Sequence, residues 1–143
     1  MASWRRAVAA LLIVLVLIAA APGLVYGLGL WMIDGRPQPR AATPVAAAAA
    51  WVNCREPLPL RVQPLNPWGV MLDLLRHGSR STPGARAAWV IARDHNARHL
   101  GRRGVWWHVS GSAMVIWITR HWSAEQIAAT AAAEGLCRPA RRT

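Results

Sequence analysis

The sequence predicts an all-α protein, an N-terminal transmembrane helix followed by a small helical domain. Three observations predict it. Ala7 to Ile33 is a run of 27 residues without a formal charge. The remainder is divided by proline and hydroxyl residues where helices start and by glycines where they stop. One internal stretch, Val105 to Thr119, again carries no formally charged residue. At 143 residues the chain has room for one small domain and an appendage, which excludes a multidomain enzyme. The formal charge is +11, with all 17 basic residues arginine and only 6 acids, so an anionic partner is expected. A hydrophobic content of 54% excludes a disordered polycation. The aromatic set is 9 Trp and 1 Tyr with no Phe, rings that join an apolar face to a polar tip and suit interfaces.

The first 33 residues read as a membrane anchor. At ~1.5 Å per residue the uncharged run would be about 40 Å long as a helix, against a hydrocarbon core of roughly 30 Å. Trp4 precedes the run and Tyr26 and Trp31 lie near its end, where amphipathic rings match the two membrane surfaces. Arg5 and Arg6 favour a cytoplasmic N-terminus. The alternative is a cleaved signal peptide, with Ala19-Ala20-Ala21 as its small residues. Pro22 directly after them makes that cleavage site poor, and apolar sequence resumes to Trp31-Met32. The anchor is therefore taken as uncleaved, single-pass, in the inner (cytoplasmic) membrane, with the C-terminal domain exported to the periplasm or cell exterior. Export argues against a nucleic-acid partner despite the charge.

Residues 34–42 form a Gly- and Pro-containing linker, and the exported domain occupies 43–143. Thr43-Pro44 opens an Ala-rich helix toward Trp51. Pro57, Pro59 and Pro64 enforce an extended connection to Asn66, and Pro67 starts a helix that Gly78 ends. Ser81-Thr82-Pro83 opens the next helix, which runs to about His99; Gly101 and Gly104 separate it from the uncharged helix beginning at Val105. That helix is either enclosed by its neighbours or partly dipped in lipid. Ser123-Ala124-Glu125-Gln126 has the form of a capping box, opening a last helix to Glu134 with Gly135 as its stop. Cys54 and Cys137 are the two cysteines, and in an oxidising compartment they are expected to pair, closing the domain; two buried free thiols are the alternative. Over 83 positions the chain-entropy model gives such a bridge roughly 4 to 5 kcal/mol.

Catalytic groups are scarce. Glu125 falls in the capping box, Glu134 stands near a helix end, and Asp73 has Arg76 three residues on, leaving Asp94 without a structural duty. His95 and His99 are one helical turn apart, but Asn96-Ala97-Arg98 between them lacks the glutamate of a zinc-protease helix, so they are read as a surface-helix pair and no metal or cofactor is expected. His108 and His121 are expected as partly buried polar tips. No nucleophile elbow, P-loop or dinucleotide fingerprint occurs. The best anion site is the turn at Ser81, where the Ser81 and Thr82 hydroxyls, a helix N-terminus, Arg80 and Arg86 converge, with Arg93 two turns beyond Arg86. An ordinary cap with solvated arginines is the plainer reading of the same residues.

Ser81-Thr82 in a Gly-led turn, a helix, an Arg-containing turn, an apolar helix ending Trp117-Ile118-Thr119-Arg120-His121-Trp122, and Ser123-Ala124-Glu125-Gln126-Ile127 together resemble the peptidoglycan glycosyltransferase domain of monofunctional transglycosylases and class A penicillin-binding proteins. The resemblance covers roughly residues 78–130. It implies a membrane-anchored, exported, lysozyme-like helical domain that meets a lipid-linked peptidoglycan precursor. The family's Ser-Thr-Ile-Thr-Gln-Gln motif is Ser81-Thr82-Pro83-Gly84-Ala85-Arg86 here, its glutamate in the apolar helix falls near Gly111, and no Glu-Asp-x-x-Phe/Tyr-x-x-His segment precedes. The expectation is accordingly a transglycosylase-like protein that binds membrane lipid and a lipid-linked precursor, or a cell-wall synthesis protein, through Arg80, Ser81, Thr82, Arg86 and Arg93, with no catalytic residue. An active minimal glycosyltransferase using Asp73 or Asp94, and an unrelated basic membrane-anchored interaction module, are the alternatives.

Overall fold

The computed structural model describes residues 2–33, 35–54, 61–75, 82–100 and 104–136. These form six helices and, among the described residues, no strand: α1 (Ala2–Trp31), α2 (Pro44–Asn53), α3 (Pro67–Leu75), α4 (Pro83–His99), α5 (Val105–His121) and α6 (Ala124–Ala133). The caps explain the boundaries. Thr43 and Thr82 each accept the backbone N–H three residues on, from Ala46 and Ala85, at 3.3 Å. Asn66 Oδ1 accepts from Gly69 N at 2.6 Å at the start of α3. Ser123 and Gln126 exchange side-chain and backbone bonds in a complete capping box. After α6, Gly135 adopts a φ of 105°, which lets the Leu136 N–H close on the Ala131 carbonyl at 2.9 Å.

α5 is the hub. It packs against α1, α4 and α3, while α6 bridges α4 and α2. The core holds Trp51, Ile91, Met114, Ile118 and Ile127, all nearly or wholly without exposure. Ala87, Ala88 and Ala92 of α4 and Ala128 and Ala131 of α6 are fully enclosed, so their helices approach closely with little side-chain volume between them. The extended stretch before α3 is clamped to the end of α5: Leu65 N–H donates to Thr119 Oγ1 at 3.2 Å, and Arg120 Nε donates to the Leu65 carbonyl at 2.6 Å.

α1 is divided. Leu11 to Ile18 are at least half exposed throughout, whereas Pro22 and Gly29 are buried and Ile33 joins the core cluster. A Cβ on Gly29 would lie 2.7 Å from Ala113 Cβ and 2.9 Å from the Val109 carbonyl oxygen, so α1 and α5 are in backbone contact there. Among the described residues one helix, Trp4–Trp31, is long and apolar enough to cross a membrane. The segment after it lies along the domain: the Arg36 guanidinium sits 5.1 Å over the Trp117 ring, and Arg40 N–H donates to Thr130 Oγ1 at 2.9 Å. Gly78, Gly101 and the Arg76 partner of Asp73 lie outside the described residues.

Candidate functional site

A cavity of about 400 Å³ opens between α1, α3 and α5. Ala21, Pro22, Val25 and Tyr26 supply one wall, at the spacing of a single helix face. His108, Val109, Ser112, Ala113 and Ile116 supply the opposing wall from α5 at the same periodicity. α3 closes a third side with Pro67, Val70 and Met71, and Trp89 enters from α4. The Trp89 indole is held by the edge of Trp107 at 6.1 Å and by its approach to the α5 backbone at Gly111, where a Cβ would meet it at 3.0 Å. Any side chain at position 111, a glutamate included, would therefore displace that ring. Tyr26, His108 and Ser112 are the polar groups among the described lining residues, and no carboxylate is among them. Such a wall suits an apolar chain or ring, within the volume range of small-ligand pockets.

The predicted anion site is partly on view. Thr82 is the N-cap of α4 and its hydroxyl is used on Ala85. Arg86 and Arg93 are exposed on α4. Arg80 and Ser81 lie outside the described residues, as does Cys137; Cys54 is held in a disulfide. Gly84 in the first turn is buried beneath residues 61–62, with its Cβ position 2.8 Å from the Arg61 carbonyl oxygen, so one side of this helix start is covered by chain. What joins the arginines to the cavity is periodicity. Arg86, Trp89 and Arg93 stand at i, i+3 and i+7, one stripe of α4, and Trp89 is the cavity residue of that stripe.

A second cluster gathers at the other end of α4. Asp94 pairs with Arg98 at 2.5 Å, and Arg98 lies 3.7 Å from Glu134 of the α6 C-cap. Burial pushes the Glu134 carboxyl above its ordinary range; a hydrogen bond to Asp94 and the Asp94 charge act the same way, opposed by Arg98 and Arg40. The expected surface pair of histidines is half right: His99 is exposed, but His95 is buried with its ring 4.2 Å from that of His99. The Gly35 backbone meets the His95 ring, and α6 packs on α4, with Glu134 near Arg98 one turn away. That burial holds the His95 imidazole below its usual pKa, helped by His99 and Arg98 and opposed by a bond to the Gly35 backbone and by Asp94. His108 and His121 are exposed rather than partly buried; His121 stacks on Trp117 at 4.9 Å, its Nδ1 2.8 Å from the Trp117 carbonyl.

The cavity was not foreseen from sequence. Its nearest local signal is the set Gly23, Gly27 and Gly29 in α1, of which Gly29 marks the close approach to α5. Neither known protein families, nor curated proteins, nor solved structures include a match to this chain.

Proposed function

We propose that this chain is a single-pass membrane protein whose helical domain binds an amphiphilic anion beside the membrane without turning it over. The observation that carries the reading is the apolar cavity shared by α1, α3 and α5, whose Trp89 stands between Arg86 and Arg93 on one stripe of α4. An apolar tail suits the cavity, and a negatively charged head suits guanidinium groups. The resemblance to peptidoglycan glycosyltransferases selects the lipid-linked peptidoglycan precursor from this class. Binding without chemistry is supported by the lining, which offers no carboxylate among its described residues, and by Asp94, which is engaged with Arg98 on the side of α4 that meets Glu134. The domain faces the side opposite Arg5 and Arg6, by the bias of positive charge toward the cytoplasm.

The test is titration of lipid II into the full chain in nanodiscs, with polymerisation followed in parallel. Replacing Arg86 and Arg93 together by alanine removes charge-assisted bonds of ~1.5 to 3 kcal/mol each, so affinity should fall at least about tenfold. Ser112→Leu, which fills the cavity, should weaken binding while leaving the arginines in place. Equal affinities for all three proteins defeat the binding claim, and any glycan product defeats the claim of inactivity. Equal preference for lipid II and a plain anionic phospholipid would favour a general membrane-interaction module instead.

A further inference from the structure

α3 is anomalous as a surface helix. Its sequence, Pro-Trp-Gly-Val-Met-Leu-Asp-Leu-Leu, has a single charge, yet none of its residues from Pro67 to Leu72 is buried. Trp68 and Leu72, one turn apart, are 39% and 40% exposed. A helix apolar all round is normally enclosed by protein, and Pro67 to Leu72 of this one are not fully enclosed.

Its position supplies the missing environment. α3 packs against α1, and its Val70 and Met71 line the same cavity as Ala21, Pro22, Val25 and Tyr26. A hydrocarbon core of roughly 30 Å takes about 20 helical residues. Counted from Ala7, directly after Arg6, those residues end near Tyr26. The α1 residues beside α3 therefore stand at the depth of the last two turns of the span, below the level of Trp31. At the same rim the first turn of α5 carries Val105 and Trp106, 74% and 55% exposed, a turn from the cavity residues His108 and Val109.

We infer that α3 is an interfacial helix, seated in the membrane leaflet at the C-terminal end of α1 with Trp68 and Leu72 in lipid, and that the first turn of α5 rests on the same leaflet. This inference rests on the reading of α1 as a membrane span. The domain then has two attachments, one through the bilayer and one along its surface, and the cavity between them faces lipid at its rim. A tryptophan and a leucine on one side of a short helix fit the boundary between headgroups and chains. The occupant is the bilayer rather than a protein because the apolar surface of α3 continues that of α1 at the same depth.

Photocrosslinking in native membranes tests this with the full chain. A benzophenone amino acid is placed singly at Trp68, at Trp106, at Leu15 in the exposed first half of α1, and at Val45 on α2, which packs on α6 away from α1. All four positions lie on the surface and none belongs to the buried core. Lipid adducts should form at Leu15 and Trp68 in comparable yield, at Trp106 as well, and at least several-fold above Val45. Adducts at Leu15 with Trp68 at the Val45 level overturn the seating of α3 while leaving the anchor standing. No adduct at Leu15 overturns the anchor itself. A protein adduct at Trp68 in place of lipid overturns the inference in favour of a protein partner.

Discussion

α1 and α5 are both apolar helices, and each contains a long run without a formally charged residue, yet they meet opposite surroundings. Between Leu11 and Ile18 every side chain of α1 is at least half exposed, whereas eight residues of α5 from Ser110 to Thr119 are buried. Hydrophobic content, lower in α5 with its histidines, serines and arginine, does not by itself explain where along its length each helix is enclosed. Small groups do: α5 offers Ser110, Gly111 and Ala113 to its neighbours, and α1 carries a matching close contact at Gly29 alone among Gly23, Gly27 and Gly29. Small residues in register let one helix pack closely on another, so α1 meets the domain over its second half, at Gly29, and leaves its first half exposed.

The largest effect should come from Met114, fully enclosed on α5. Met114→Ala should lower stability by ~2–5 kcal/mol, read by chemical denaturation in detergent, while Leu15→Ala in the exposed half of α1 should leave the domain unchanged. A matching loss at Leu15 would break the contrast. Gly29→Leu comes next. Its side chain must displace Ala113 and Val109, at a cost of ~1–3 kcal/mol, whereas Gly27→Leu meets open space and should be silent. Equal tolerance at both positions would mean that α1 is only a tether.

Asn96→Ala should follow. Asn96 is fully buried, and its Nδ2 donates to Ser110 Oγ at 3.0 Å and to the Trp107 carbonyl at 3.1 Å, tying α4 to the first turns of α5. Its removal leaves buried acceptors without this donor and should cost ~1–3 kcal/mol. The smallest effect is pH-dependent. His95 takes up a proton near pH 6.5 when unfolded and only at lower pH when folded, so the unfolded chain binds more protons in that window. Stability from this residue is complete above 6.5 and is lost as pH falls toward the lowered value. Glu134, raised above 4.5, slopes the other way, so the His95 contribution is read as the difference between wild type and His95→Gln across pH 5 to 7.

Much of the helical framework was legible because its signals are local. Thr43-Pro44, Thr82-Pro83, the Ser123–Gln126 box and Gly135 act within four residues, and the helices begin and end by them. What was hidden depends on long-range contact. Nothing near His95 in sequence tells that the Gly35 backbone will meet it. The arginine stripe was visible, but its relation to a cavity was not, because Trp89 becomes a wall only when α1, more than fifty residues earlier, lies across α5. The charge-poor reading of Val105 to Thr119 left enclosure and lipid open; the structure shows α5 enclosed over its middle and exposed at Val105 and Trp106.

The proposed function and the seating of α3 require that the first half of α1 stays on the chain and faces lipid. The most direct measurement is intact-mass spectrometry of the protein extracted from membranes. The expected result is a chain that retains the residues before Pro22, Arg5 and Arg6 included. A mature N-terminus at or near Pro22 would contradict it.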